Sequence, residues 1–246
     1  MASSSRRFVV GGRRPATEAV RAGKAREILV GRSAQQTKGL RELLAEADRA
    51  GVPVRRVERP VLEAFGLGDA AQGVAAVVDP PAELDEHQLR TRTFATDALV
   101  VVLDGITDPQ NFGASARSAE AAGAELLMVR KRRAAPLSPA AFKASAGALL
   151  HLPVARVANL TRSLDWLKDQ GFAVVGLDAS GEAMWRAPTP DRPLALVVGA
   201  EGEGLSRLVR EACDRLVAIP MLGRTASLNA AAALSVALFG YANRPG

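Results

Sequence analysis

Three stretches of this chain carry polar side chains and glycines in patterns that could do chemistry. The first runs from Asp104 to Arg117, through Asp108, Pro109, Gln110, Asn111, Phe112 and Gly113. Taken alone, Asn111 reads as a helix N-cap and Arg117 as a surface residue paired with Glu120 three positions on. The small face of Gly113, Ala114 and Ala116 also admits a close backbone or ligand. The second stretch is an apolar run from Leu194 into Gly199, Ala200, Glu201, Gly202, Glu203 and Gly204. Glycines allow positive φ and let a ligand touch the main chain. A dinucleotide fingerprint fails here, because Arg207 stands where the third glycine belongs and the acids would repel a pyrophosphate. A nicotinamide-dependent oxidoreductase is disfavoured, no Walker A sequence exists, and a non-phosphate ligand fits better. The third stretch runs from Ile219 to Asn229 and leads into the apolar run Ala230 to Tyr241. Ser227 reads as the N-cap of a core helix, which leaves Asn229, a weak helix former, unexplained.

Each stretch follows an apolar run that reads as a strand, and in open α/β sheets ligands collect at strand ends. Leu99 to Leu103 is continuously apolar, as expected for a parallel sheet covered on both faces. Further strands are expected at 126–129, 154–157, 173–177, 194–198 and 216–219, with helices at 112–122, 138–149, 160–170, 204–213 and 227–241. That alternation marks a doubly wound α/β domain. Residues 8–79 read as a smaller α/β domain. Its helices run from Pro15 to Arg21, from a Thr37 cap to Gly51 and from Pro60 to Phe65. Its strands lie at 27–30, 54–57 and 74–78. Pro80, Pro81 and the polar stretch to Asp97 read as a linker, which leaves 98–246 as the larger domain and 1–7 as a flexible basic tail.

Composition narrows the function classes. No run approaches the roughly 18 apolar residues of a membrane span. Met1 to Arg14 holds basic residues with no apolar run behind them, which argues against a secretory signal. The single cysteine, Cys213, excludes an intrachain disulfide, and with only His87 and His151 a Cys/His zinc site is excluded as well. A cytoplasmic location is expected. The net charge of +6 suggests a polyanionic partner. Residues 1–80 carry 14 Lys/Arg and 9 Asp/Glu, a net of +5, whereas 81–246 carry 18 and 17, a net of +1. The run Arg130, Lys131, Arg132, Arg133 reads as a solvated loop or as a contact to RNA phosphates, with the second favoured.

Asp108 to Gly113 with Arg117, Gly199 to Gly204, and Ser227 to Asn229 resemble, in this order and spacing, the three motifs of the SpoU-type RNA 2′-O-ribose methyltransferases of the SPOUT superfamily. The resemblance covers residues 98–246. Residues 8–78 are similar to the small L30e-like RNA-binding domain that precedes it in many members, through Gly12, Glu18 to Val20 and Gln72 to Val74. The layout resembles the large-subunit rRNA guanosine-2′-O-methyltransferases. The alternatives are tRNA or antibiotic-resistance rRNA methyltransferases, and a non-catalytic RNA-binding assembly factor that kept the fold. The resemblance implies a trefoil knot near the C-terminal end holding S-adenosylmethionine. It implies a homodimer with the active site near the subunit interface and RNA as substrate; neither a metal nor a membrane partner is expected. It implies an active-site set of Asn111, Arg117, Glu201, Ser227 and Asn229, with main-chain cofactor contacts at Gly199, Ile219 and Leu228.

Methyl transfer from a sulfonium is an in-line displacement in which charge disperses, so positioning in a dry cleft is the main demand. A guanidinium keeps its proton up to a pKa above ~12. Arg117 is therefore expected to act as a fixed cation that grips the adjacent phosphate and stabilises the forming alkoxide. The alternative is Arg117 as general base. Glu201 is expected to orient Arg117, and Asn111, Ser227 and Asn229 to fix the ribose and the loops.

Overall fold

A computed structural model of the chain describes residues 8–65, 72–79, 82–188 and 193–242. The basic tail expected over 1–7 and the Pro80–Pro81 pair lie outside them. The first sheet holds β1 (Phe8–Gly11), β2 (Ala25–Gly31), β3 (Val54–Val57) and β4 (Val74–Val78) in the order β1-β4-β2-β3. Only β2 and β3 pair in parallel. Three helices pack with it: α1 (Arg13–Arg21), α2 (Lys38–Arg49) and α3 (Arg59–Glu63). Thr37 caps α2 through its hydroxyl, and Leu40, Leu43 and Ala47 form the buried stripe. Two features escaped the sequence patterns. β1 is a four-residue strand fixed by antiparallel pairing with β4, a tertiary contact. Helix α1 starts before Pro15, which costs nothing because a proline in the first turn removes only an orphan N–H.

The second sheet is wholly parallel, in the order β11-β9-β10-β6-β7-β8-β5. Its strands are β5 (Glu83–Leu84), β6 (Leu99–Asp104), β7 (Leu126–Arg130), β8 (Val154–Val157), β9 (Ala173–Ala183), β10 (Leu194–Gly199) and β11 (Arg215–Ala218). Its helices are α4 (Glu86–Arg90), α5 (Pro109–Ala121), α6 (Pro139–Ala144), α7 (Leu160–Asp169), α8 (Arg207–Ala212) and α9 (Ala230–Ala242). The central strands β6 and β10 are buried along their whole length, as their unbroken apolar runs require. From β6 the chain winds outward through β7 and β8, then crosses to β9 and β10 on the other side. The switch point therefore lies between β6 and β10, and the crevice beyond their carboxyl ends is where such sheets bind ligands.

The stretch 82–97, read as a linker, holds β5 and α4. β5 pairs with β8, and Asp85 and Gln88 close a capping box on α4 that buries Leu89. A two-residue strand and a five-residue helix are too short for periodicity to reveal. The helix expected over 138–149 is broken. Helix α6 ends at Ala144, Ala146 and Gly147 take positive φ of 49° and 99°, and a 3-10 turn follows at Ala148–Leu150. Gly113 lets α6 lie directly on α5, where an added Cβ would collide with the Ala141 carbonyl. The two sheets share a continuous apolar core, and the Phe8 and Phe142 rings meet across it at 5.6 Å.

Candidate active site

The three chemistry-bearing stretches converge at this switch point, and Asn229 joins them. Its Oδ1 accepts from the backbone amides of Ala231 (3.0 Å) and Ala232 (3.3 Å), so Asn229 is the N-cap of α9. That fixes which way its amide points. Its Nδ2 then donates to Asn111 Oδ1 at 2.8 Å and to Glu201 Oε2 at 3.1 Å. One amide thus caps a helix and ties all three segments together. This corrects the reading of Ser227 as N-cap, and it explains the weak helix former that local propensity left over. The cap of α5 is likewise Asp108, whose Oδ2 accepts from the Asn111 amide at 2.8 Å, with Pro109 at the first helical position. Asn111, read as the cap, stands one turn inside, and its side chain is free to reach Asn229.

Beside this cluster lies a cleft of about 550 Å³ between the ends of β9 and β10, the glycine loop and residues 217–230. The expected main-chain contacts Gly199, Ile219 and Leu228 all line it, together with Glu201 and Ser227. Gly199 has a structural reason of its own. The loop folds back so that Ala200 and Gly204 pair, and a Cβ on Gly199 would collide with the Gly204 carbonyl. Gly202 and Gly204 supply the turn with φ of 80° and 67°.

Arg117 does not join the cluster. It is exposed on α5 and, among the described residues, its side chain makes no hydrogen bond or ion pair, so the anticipated pair with Glu120 is not formed. Nor is Glu201 bonded to it; Glu201 Oε2 accepts from Asn229. Six residues along a helix place Arg117 ~120° round the axis and ~9 Å from Asn111.

Two acids have roles that sequence reasoning did not give them. Asp178 lines the cleft; its Oδ1 accepts from Ser180 Oγ (2.6 Å) and N (2.9 Å), and its Oδ2 pairs with Arg210 at 2.8 Å. Burial pushes this carboxyl up, but the Ser180 donors and Arg210 outweigh it and hold the group below its ordinary 3.8. No motif marked it, because β9 runs six residues past the expected strand end at Leu177. Asp104, 3% exposed, ends β6, accepts from Arg130 Nε (3.1 Å) and the Ser206 amide (2.8 Å), and is ion-paired with Arg130 Nη2 at 2.9 Å. Arg130 is therefore bound within the fold, unlike the free cation expected of that run. The cleft wall carries three carboxylates, Asp178, Glu201 and Glu203, against one guanidinium, Arg210, already paired with Asp178. Such a wall favours a cationic ligand and repels a polyphosphate. Among the described residues, no group of three or more His, Cys, Asp or Glu is placed to hold a metal ion, and no helix is long and apolar enough to cross a membrane.

A parallel sheet with a glycine-walled cleft at the ends of β9 and β10, lined by three carboxylates and one guanidinium, defines an α/β domain with a candidate small-ligand site beside its switch point. Comparison with known proteins makes the class specific: the chain belongs to the SpoU rRNA methylase family, whose model matches residues 98–239. A second model, for RNA 2′-O ribose methyltransferase substrate binding, matches residues 9–84. Among relatives, a 23S rRNA (guanosine-2′-O-)-methyltransferase RlmB of Photobacterium profundum is 41% identical over 209 residues, covering 83% of this chain and 84% of the relative. A tRNA/rRNA methyltransferase of Mycolicibacterium vanbaalenii, itself uncharacterized, is 41% identical over 233 residues, covering 94% and 74%. The crystal structure of the SpoU methyltransferase AviRb from Streptomyces viridochromogenes, in complex with AdoMet, superposes with a TM-score of 0.76 at 32% identity, over 96% of this chain and 89% of that one. The chain is an RNA methyltransferase of the SpoU type.

Proposed function

We propose that the chain moves a methyl group from S-adenosylmethionine to the ribose 2′-hydroxyl of a guanosine in large-subunit ribosomal RNA. The observation that carries this is the Asn111–Asn229–Glu201 cluster standing against an anionic cleft. The cofactor, when bound, supplies an electrophilic methyl on a sulfonium, and the carboxylates of the cleft wall fit that positive charge. The choice of ribosomal RNA rests on the RlmB relative.

The hydrogen bonds divide the labour within the cluster. Asn229 is saturated: its oxygen serves two α9 amides and its nitrogen serves Asn111 and Glu201, so it is a positioning residue. Asn111 Nδ2 and Glu201 Oε1 remain open, and they are the atoms to orient the acceptor ribose, with Ser227 on the facing loop. Arg117 is the fixed cation that grips the phosphate beside the acceptor. Ser118, next to it, bonds Ser235 of α9 at 2.6 Å, so Arg117 borders the α5–α9 face. That face and its surroundings expose Met221, Leu222 (99%), Leu228, Val236 and Phe239, apolar surface that a second copy of the chain would cover. We assign the homodimer to this face, which brings Arg117 to the subunit boundary. The same reading includes the trefoil knot, because the loop 219–229 leads from β11 at the sheet edge back to α9, which packs against β10 and α5. The first sheet, L30e-like in this reading, holds the RNA.

The test is a map of 2′-O-methyl positions in total RNA from cells with and without the gene. Loss of a single guanosine modification in large-subunit rRNA is the expected result. Loss confined to tRNA would replace the substrate, and no loss anywhere would remove the proposal.

A further inference from the structure

We infer that Lys131, Arg132 and Arg133 form a phosphate clamp in the catalytic half, which holds the RNA strand in register with the cofactor cleft. The inference deepens the methyltransferase reading and rests on it. Net charge by itself pointed to the first third of the chain, but there more than half of the described cations are paired with carboxylates. Of the twelve Lys/Arg within residues 8–65, seven stand in ion pairs: Arg21, Arg26, Arg32, Lys38, Arg49, Arg55 and Arg59. Lys131, Arg132 and Arg133 are different. All three are exposed, and among the described residues none of their side chains has a hydrogen bond or an ion pair. Three adjacent cations repel one another, a cost that a polyanion would relieve.

The loop that carries them is built. Arg133 holds a φ of 57°, a left-handed conformation that costs a non-glycine residue free energy unless its surroundings impose it. The surroundings here are the Lys131 amide on Val157 O (2.7 Å) and the Ala135 amide on Ile106 O (2.9 Å). The base of the loop is bolted down by Arg130, which grips the buried Asp104 and also donates to Ser206 Oγ at 3.0 Å. Asp104 in turn accepts from the Ser206 amide. The cationic loop is thereby fixed to the end of β6 and to the far end of the glycine loop 200–206, whose near side walls the cofactor cleft.

A groove of about 400 Å³ lies between them, lined by Arg130, Arg133, Glu203, Ser206 and Arg207. A second, of about 490 Å³, is lined by Arg130 to Arg133 and Ala158. Glu203 is the one acid facing the first groove besides the paired Asp104, and Arg207 is held by Glu211. The free charge that reaches a strand in these grooves therefore comes from Lys131, Arg132 and Arg133. An RNA backbone is the fitting occupant, because the grooves continue into the wall of the cleft where a ribose is methylated.

The experiment compares the wild type with Lys131→Ala/Arg132→Ala/Arg133→Ala. Affinities for a transcribed large-subunit rRNA fragment and for polyuridylate are measured over a salt series. Affinity for S-adenosylhomocysteine is measured by calorimetry. Removing three phosphate contacts should lower RNA affinity at least ~10-fold at low salt and flatten the log–log salt slope by about 2. Affinity for S-adenosylhomocysteine should not change. Equal RNA affinities and slopes would overturn the clamp, whatever the wild type does with cofactor. Failure of the wild type to bind S-adenosylhomocysteine would instead remove the methyltransferase reading beneath it. Unchanged RNA binding with lost binding to phosphatidylglycerol vesicles or polyglutamate would overturn RNA as the occupant. Unfolding of the variant is checked by its melting temperature. The single changes Lys131→Gln and Arg132→Gln then carry the same comparison, with a slope change of about 0.7 expected for each.

Discussion

The two sheets handle charge in opposite ways. On the first, exposed arginines meet carboxylates across neighbouring strands, as Arg55 does with both oxygens of Glu27 at 2.7 and 3.2 Å. Around the second sheet's crevice, Asp104 and Asp178 are locked in ion pairs, whereas Arg117 and Lys131 to Arg133 are exposed and unpaired. A region with a net of +5 can therefore hold more than half of its described cations in ion pairs, and one with a net of +1 can offer a concentrated patch. Net charge counts residues, whereas binding an anion depends on which of them are still unpaired.

The contrast breaks hardest at the locked sites. Asn229→Ala removes the α9 cap and both contacts that align Asn111 and Glu201. Methyl transfer should fall by a hundredfold or more, on the order expected for misplaced groups, and stability by about 1 kcal/mol for the lost cap. Asn111→Ala should cost comparable activity with little change in melting temperature, which separates the open atom from the structural one. Melting curves and single-turnover rates check both. Equal activity losses with equal destabilisation would put the two residues in one role.

Asp104→Ala comes next. It leaves Arg130 without its carboxylate and the Ser206 amide without an acceptor, and Arg130 keeps part of its hydration because its side chain is 37% exposed. A loss of about 2 kcal/mol is expected in denaturant unfolding. A shift within the ordinary surface range would show that this lock does not hold the crevice together.

Asp178 gives a pH signature. Its carboxyl sits below the ordinary 3.8 in the fold, so its contribution to stability is present above that value and is lost as pH falls through the lower, folded value. Unfolding midpoints between pH 7 and pH 2 should fall off on the acid side below about 4, and Asp178→Asn should flatten that limb. An identical acid limb in the variant would contradict the assignment.

The smallest effect concerns Cys213. Burial first, then the nearby Asp214, pushes its thiol up to about 12, with Lys168 opposing. The native protein should therefore react with a thiol reagent at neutral pH far more slowly than the unfolded chain. Similar rates in the two states would mean that this corner of the second sheet opens readily.

Much of this was legible in the residues. The buried strands of the second sheet announced themselves as unbroken apolar runs, and the acids of the glycine loop spoke for a non-phosphate ligand. The resemblance to the SpoU-type motifs, carried by chain order and spacing, joined the three site stretches. What stayed hidden depends on contacts that no local window contains. The cap of α9 is Asn229 because two amides and two side chains from distant segments agree on it. Asp178 entered the cleft because β9 continues beyond its apolar stretch. β1 and β5 are too short to be seen without their partners β4 and β8. Ion pairs along helices and between strands engage seven of the cations that a count of charges leaves free.

The most direct test of the central claim is transfer of labelled methyl from S-adenosylmethionine to transcribed large-subunit rRNA, followed by complete alkaline hydrolysis. A 2′-O-methyl group blocks cleavage at its own phosphodiester, so the label should emerge in alkali-resistant dinucleotides with guanosine at the 5′ position. Label released as mononucleotides would mean that a base is methylated, and would contradict the account of the crevice given above.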